Sequence, residues 1–306
     1  MGATQQRILK MDWELGLITL YLEICEHYKQ DLWVTCQRFT NGGIKSSSDE
    51  EILTVYLFGL LRGFKTKKSL HKYALDHLKP YFPGLPRYAA FNHRVNNLSE
   101  ACRMLSEIIQ SKRVLENDEG VYLVDSFPIV IAKGQHAYTA RVASEVASTS
   151  YNSTKKMYYY GVKAHIVARR RENGLPEVEL LVLDGAARQD GPLFDQLRLM
   201  MHDNLVFADK AYKRPDEQSI EMEQGLKVIT PTIKQRGQKK LLPEQAAFSR
   251  AVAKIRQPIE TLFGWIQKKT GIQEAGLVRS SAGLASHIFG RFVAALICRA
   301  LPCFDF

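Results

Sequence analysis

Val121-Tyr122-Leu123-Val124-Asp125 and Leu205-Val206-Phe207-Ala208-Asp209 are two short apolar runs, each closed by an aspartate. A strand that is apolar on both faces belongs in the middle of a sheet. In open sheets with helices on both sides, sites form beyond the strand ends. An aspartate placed there stands on a rigid support and still reaches solvent. If the two strands are neighbours, their carboxylates can share one metal ion. The plainer alternative is a turn former or a helix cap, a common use of aspartate after a strand.

Working outward, the first run continues through 127–131. Residues 158–168 alternate, with Tyr158, Tyr160, Val162, Ala164 and Ile166 on one face and Tyr159, Lys163 and His165 on the other. Further strands are expected at 179–183, 205–208 and 226–230, with helices at 192–201 and 215–223. A long helix follows at 243–269, broken in register by Pro258, and an apolar helix at 284–301. The expected core is an α/β mixed five-stranded sheet flanked by helices. The segment 134–157 reads as a polar surface excursion, and 234–243 as a basic loop.

Residues 1–115 carry no convincing strand. Helical spacing covers 12–30, 52–61, 65–78, 89–95 and 98–109, with capping residues at Ser46-Ser47-Ser48-Asp49 and a break at Pro80, Pro83, Gly84 and Pro86. Two domains are expected: an all-helical one at 1–115 and the α/β one at 116–306. In the helical part, Lys65, Lys67, Lys68, Lys72, Arg87, His93 and Arg94 are candidate DNA contacts, or else the unit is a support module. Trp13 and Trp33 read as core.

The chain has 306 residues, 45% hydrophobic and 24% charged, as in ordinary globular proteins. Disorder and collagen-like repeats are thereby excluded. The net charge is +10, which suits a polyanionic partner. Residues 1–120 hold 16 basic and 14 acidic side chains, and 121–306 hold 26 and 18, so the later part is the better candidate to grip phosphates. Five cysteines without a C-x-x-C pair argue against zinc-ligand spacing and a secreted disulfide framework. A reduced cytoplasmic chain is expected. The polar residues 1–10 carry no expectation of a signal peptide. The apolar stretch 288–301 is too short to span a bilayer and contains Arg291 and Arg299.

Glu260 is the third candidate carboxylate. It lies in Arg256-Gln257-Pro258-Ile259-Glu260, with Ile259, Leu262, Phe263 and Ile266 supplying an apolar face. Spacing of four puts Arg256 and Glu260 on one helical side. The plainer alternative is a surface ion pair. Pro258 weighs against it, since proline inside a helix costs about 3 kcal/mol. Three carboxylates suit Mg²⁺, and two such ions can clamp the attacking and leaving oxygens of a phosphoryl transfer. Lys155, Lys156, Lys163, His165, Lys210, Lys213, Arg256, Lys268 and Lys269 are the cations available to hold a DNA backbone.

At these residues the sequence resembles the DDE transposases of bacterial insertion sequences. The resemblance runs through Val124-Asp125-Ser126-Phe127-Pro128, Lys155-Lys156-x-Tyr158-Tyr159-Tyr160-Gly161-Val162-Lys163-x-His165, Ala208-Asp209-Lys210-Ala211-Tyr212 and Arg256-Gln257-Pro258-Ile259-Glu260, with Pro86-x-Tyr88-x-Ala90-Phe91-x-His93-Arg94 upstream. Each motif alone is weak; four in order make a strong signal. The resemblance implies a ribonuclease-H-like catalytic core with Asp125, Asp209 and Glu260 as the acidic triad. It further implies two Mg²⁺ ions, with Mn²⁺ as a substitute, and terminal inverted repeats and target DNA as partners. A homodimer or higher oligomer would form the synaptic complex, in the cytoplasm and at the nucleoid. The implied reaction is cleavage at the element ends, then attack of the freed 3′-hydroxyl on target DNA. Many relatives also place a tyrosine and a lysine around the last acid. Here those positions are Ala253 and Gln267, with Lys268 beside the latter. Rival readings are a nuclease or junction resolvase of the same fold, and a domesticated DNA-binding protein. The intact acids argue against the last.

Asp184 and Asp190, after the third expected strand, read as turn and cap residues. Lys163 and His165 share one side of their strand, beside the metals or on the surface.

Overall fold

The computed structural model describes residues 13–38, 46–112, 120–153, 155–198, 201, 204–213 and 217–300. The chain separates into two compact units, Met1–Lys112 with Ile266–Phe306, and Arg113–Trp265. The sequence reading kept 266–306 with the α/β domain; by packing, this stretch joins the helical unit instead.

The helical unit contains α1 (Trp13–Gln30), α2 (Asp49–Leu61), α3 (Lys67–Tyr73, extended by a wide turn to Leu78), α4 (Tyr88–Asn97) and α5 (Ser99–Ser111). The chain's last described helix, Ser281–Ala300, also belongs to it. α2 is apolar on all sides and is buried on all sides, as such a helix must be. A capping box starts it: the Glu51 N–H donates to Ser48 Oγ at 3.2 Å, and the Ser48 N–H to Glu51 Oε2 at 2.9 Å. Buried Asp49 accepts from Arg94 Nε and Nη2 at 2.7 and 2.6 Å and pairs with Arg38. Arg94 therefore ties α4 to the start of α2 and is not a surface contact for DNA. Trp13 packs against Phe58, whereas Trp33 is half exposed.

The helix Ser281–Ala300 is long and apolar enough to cross a membrane by length and composition. Its apolar side chains have another use, because Val293, Ala294 and Ile297 lie in the helical core. It crosses α2 at Gly290, where a Cβ would come within 2.4 Å of the Tyr56 ring. Tyr56 Oη also donates to the Ser286 carbonyl at 2.8 Å.

The second unit is built on β1 (Val121–Lys133), β2 (Ser148–Asn152), β3 (Met157–Arg169), β4 (Glu177–Gly185), β5 (Leu205–Ala208) and β6 (Lys227–Ile229). A four-residue helix, α6 (His136–Thr139), precedes β2, while α7 (Asp190–Arg198), α8 (Glu217–Gln224) and α9 (Pro243–Thr270) follow the later strands; the Ser281–Ala300 helix is then α10. β3 and β1 are antiparallel, whereas β1, β5 and β6 run parallel. The outer edge of β3 is shared: β2 pairs with Met157–Gly161 and β4 with Val162–Arg169. The sheet thus has six strands rather than the five expected. β2 escaped the sequence reading because Ser-Thr-Ser-Tyr-Asn is polar, and an edge strand needs no apolar face. The ribonuclease-H-like order is present, with the first strand beside the strand that ends at Ala208.

β3 crosses β1 closely at Gly161, where a Cβ would meet the Ile129 carbonyl oxygen at 2.0 Å. A bulge in β1 between Val130 and Ala132 lies opposite. Tyr159 and Tyr160 are both buried and Tyr158 is exposed, so the face that Tyr158 shares with Tyr160 by alternation does not decide its burial. The sheet is covered on both faces at that level, and Tyr158 lies at the strand's open end.

Candidate active site

β5 pairs with β1 only as far as Ala208 opposite Val124. The next position on each strand is Asp125 and Asp209, which places the two aspartates side by side. Asp209 does follow a strand end, as expected. Asp125 does not, because β1 runs on to Lys133 against β3. The strand that stops is its neighbour, and this opens the sheet beside Asp125. Asp209 occupies the cap position of a single turn at Lys210–Tyr212, but its side chain makes no capping hydrogen bond and is half exposed. Turn capping therefore does not explain this residue.

The Asp125 side chain is mostly buried, and its Oδ1 accepts from the Ser126 N–H at 2.8 Å. Burial pushes its pKa up to about 6. Arg256 and the Ser126 N–H pull the other way, while the charges of Asp209 and Glu260 raise it further.

α9 delivers the remaining groups. Its Val252, Ile259, Leu262 and Phe263 are buried, and Phe263 stacks edge-on to Phe127 of β1 at 4.8 Å. Arg256 lies on this inner face. Its Nη2 donates to Asp125 Oδ2 at 2.9 Å, and its Nη1 is 3.8 Å from Asp209 Oδ1. One guanidinium therefore bridges both aspartates. Glu260, one turn later, is exposed despite the apolar face beside it. Its charge nevertheless reaches Asp125. The helix is continuous through Pro258.

Lys163 and His165 share one side of β3, as alternation requires, and that side is covered. Lys163 Nζ donates to Asp190 Oδ1 at 2.8 Å and to the Arg188 carbonyl at 2.9 Å. His165 is buried, with Nε2 3.9 Å from Asp190 Oδ1 and Nδ1 hydrogen-bonded to Tyr212 Oη across 3.3 Å. Burial holds the His165 pKa below the ordinary histidine range. Tyr212 completes the network, stacked edge-on to Phe194 of α7 at 5.5 Å. These groups fasten α7 and the Asp209 turn to the sheet from inside. Sequence reasoning gave Asp190 only a turn or cap role, without its contacts to Lys163 and His165, and missed Tyr212. The only signal was Tyr212's place in the Ala208–Tyr212 motif.

The other cations stand apart. Lys210 is exposed beside Asp209. Lys268 is exposed on α9, roughly 12 Å along the axis from Glu260. Lys155 and Lys156 are exposed at the β2–β3 turn. Ile166 is the register partner of Asp125, and at ~3.3 Å per residue the turn lies roughly 30 Å from that level. Tyr158 stacks there with Tyr138 at 5.4 Å and Tyr151 at 5.0 Å, and all three rings are exposed.

Among the described residues no three His, Cys, Asp or Glu side chains already converge as a metal site. The donors beside Arg256 still fit a hard divalent ion. Two carboxylates hold a cation between them, and a long, exposed third carboxylate lies one helical turn away. Residues 116–297 match the transposase DDE domain family. No curated protein and no solved structure gives a significant match. The match spans more than half of the chain and takes in both aspartates and Glu260, so the chain belongs to the family of transposases with a DDE domain.

Proposed function

We propose that this chain is an insertion-sequence transposase that cuts DNA at the element ends and joins the freed 3′-hydroxyl to target DNA. The observation that carries this reading is the pair Asp125 and Asp209, side by side beyond the end of β5 and bridged by one guanidinium. Asp125, Asp209 and Glu260 are the residues that would hold Mg²⁺ or Mn²⁺. The bound ions would neutralise the phosphodiester and activate the attacking and leaving oxygens.

Arg256 keeps two crowded carboxylates together at neutral pH, where they would otherwise repel. A divalent ion bound between the two aspartates would compete with this guanidinium for the same oxygens. Ser126 fixes the Asp125 carboxylate by its N–H. Asp190, His165 and Tyr212 hold the turn that carries Asp209. Lys210, Lys155, Lys156 and Lys268 would contact phosphates, and the exposed tyrosines beside Lys155 and Lys156 suit stacking on an unpaired base. Lys163 and His165 act from inside as positioning residues. The helical unit would recognise terminal repeats and assist assembly, with the protein working as a homodimer or higher oligomer in the cytoplasm.

The test uses a labelled duplex carrying the inverted repeats that flank the coding sequence, Mg²⁺ and a target plasmid. Wild type should cleave and then join the two DNAs. Asp209→Asn should lose cleavage by at least a hundredfold, while binding the duplex and melting as wild type does. Cleavage without joining would favour a nuclease of this fold. Wild-type cleavage by Asp209→Asn would remove the residue from the reaction.

A further inference from the structure

The helical unit holds a cavity of about 670 Å³ between α2, the start of α3, α4, the 274–280 loop and the start of α10. Five cations line it: Lys65, Lys67, Lys68, Arg279 and Arg291. Glu274 is the single acid in its lining, and Gln267 Nε2 already donates to it at 3.1 Å.

Two of the cations are set into the structure. The Lys67 ammonium donates to Asn96 Oδ1 and to Ser286 Oγ and lies 5.7 Å from the centre of the Tyr56 ring. Arg291 is buried. Its Nε donates to His287 Nδ1 at 3.2 Å, and its terminal nitrogens donate to the Thr270 and Lys65 carbonyls. His287 cannot share the charge as an acid would. Its Nε2 donates to the Ile272 carbonyl, and burial beside Arg291 drives its pKa down to about 3. So every hydrogen-bond partner of these two cations is neutral, and Glu274 acts on Arg291 only by its charge. Burial likewise pulls the Lys67 pKa down to about 8, the mark of a cation without a counter-charge.

Unpaired cations in a partly enclosed space are costly unless an anion completes them. The cavity also has an apolar side, where Leu277 and Tyr88 are exposed next to the cations. A group that is anionic at its centre and apolar at its flanks matches both halves. We propose that this cavity is a phosphate site of the helical unit, which seats one phosphodiester of a nucleic-acid strand with the adjoining sugar or base against Tyr88 and Leu277. The choice of a DNA strand over a free phosphate compound rests on the reading of the chain as a DNA-acting enzyme. The presence of a phosphate site does not.

The test uses the full chain in EDTA. Inorganic phosphate should raise the melting temperature of wild type more than chloride at equal ionic strength. Lys67→Met should abolish that rise, weaken duplex binding about tenfold and make the salt slope shallower by about 0.9, the share of one phosphate. Lys67→Arg should keep most of both effects. Loss of the phosphate effect with unchanged duplex affinity would support the site and assign it to a free phosphate compound. Unchanged phosphate response and unchanged duplex binding in a folded Lys67→Met would overturn it. Should Lys67→Met fail to fold, acetylation of Lys67 in wild type decides: phosphate or duplex should protect it, and unchanged labelling overturns the site. Failure of the catalytic reading shows separately, as persistent cleavage by Asp209→Asn.

Discussion

Asp125 is a carboxyl held mostly out of water, with a folded pKa of about 6 against an ordinary 3.8. The folded chain therefore binds this proton more tightly than the unfolded chain. The stabilisation is complete below about pH 4 and is lost as pH rises through about 6. In EDTA, Asp125→Asn lacks this loss. Its stability relative to wild type should rise between pH 4 and 6, by about 3 kcal/mol at most, and level off above pH 7. Denaturant melts of both proteins across that range check this, and a flat difference would contradict the burial of the charge. The acids were legible in the sequence because each stood at a break in an apolar run or on a patterned helix face. The role of Arg256 was legible only in part. Spacing put it beside Glu260, yet its bonds go to Asp125 and Asp209, since a helix pattern does not reveal what faces it across a sheet. For the same reason alternation put Lys163 and His165 on one side of β3 without revealing that Asp190 and Tyr212 cover them.

α9 carries the cost of Pro258 in mid-helix, a position where proline removes a backbone hydrogen bond and crowds the preceding turn. Pro258→Ala should stabilise the protein by about 1–3 kcal/mol. It should also lower single-turnover cleavage, because Arg256 and Glu260 sit on either side of that turn. Rising stability with unchanged cleavage would show that the turn's shape is indifferent to the reaction. At the start of α2, Asp49→Ala would leave Arg38 and Arg94 without their shared carboxylate. Loss of one partner from a buried ionic group costs about 3–5 kcal/mol, and a urea melt should show a loss of that size. The elements themselves were largely legible wherever apolar residues set a period. β2 was not, because edge strands can be polar throughout. The long extension of β1 past Asp125 was read only as a continuation, since partner strands rather than the sequence decide where pairing stops.

At the scale of the whole chain, the stretch after α9 returns to the helical unit. Its sequence shows a buried helix but not which core it enters, because α10 is apolar enough to suit any interior. Charge follows a similar logic. The surplus of 26 basic over 18 acidic residues in 121–306 is not all offered to solvent. Lys163 is committed to Asp190, Arg169 to Glu179, and Arg256 to the two aspartates. Lys155, Lys156, Lys210, Lys213, Lys239 and Lys240 are exposed, and these can release counterions from phosphates. Duplex binding should therefore weaken steeply with salt, with a log–log slope of about −0.9 for each phosphate neutralised. Replacing Lys155 and Lys156 together by glutamine should make the slope shallower by about 2, whereas Lys163→Gln should leave it unchanged, since Lys163 is spent on Asp190. Anisotropy titrations of one labelled duplex at several salt concentrations measure these slopes. A slope that changes with Lys163→Gln but not with the Lys155 and Lys156 pair would reverse the assignment of inner and outer cations and move the DNA to the other side of the sheet.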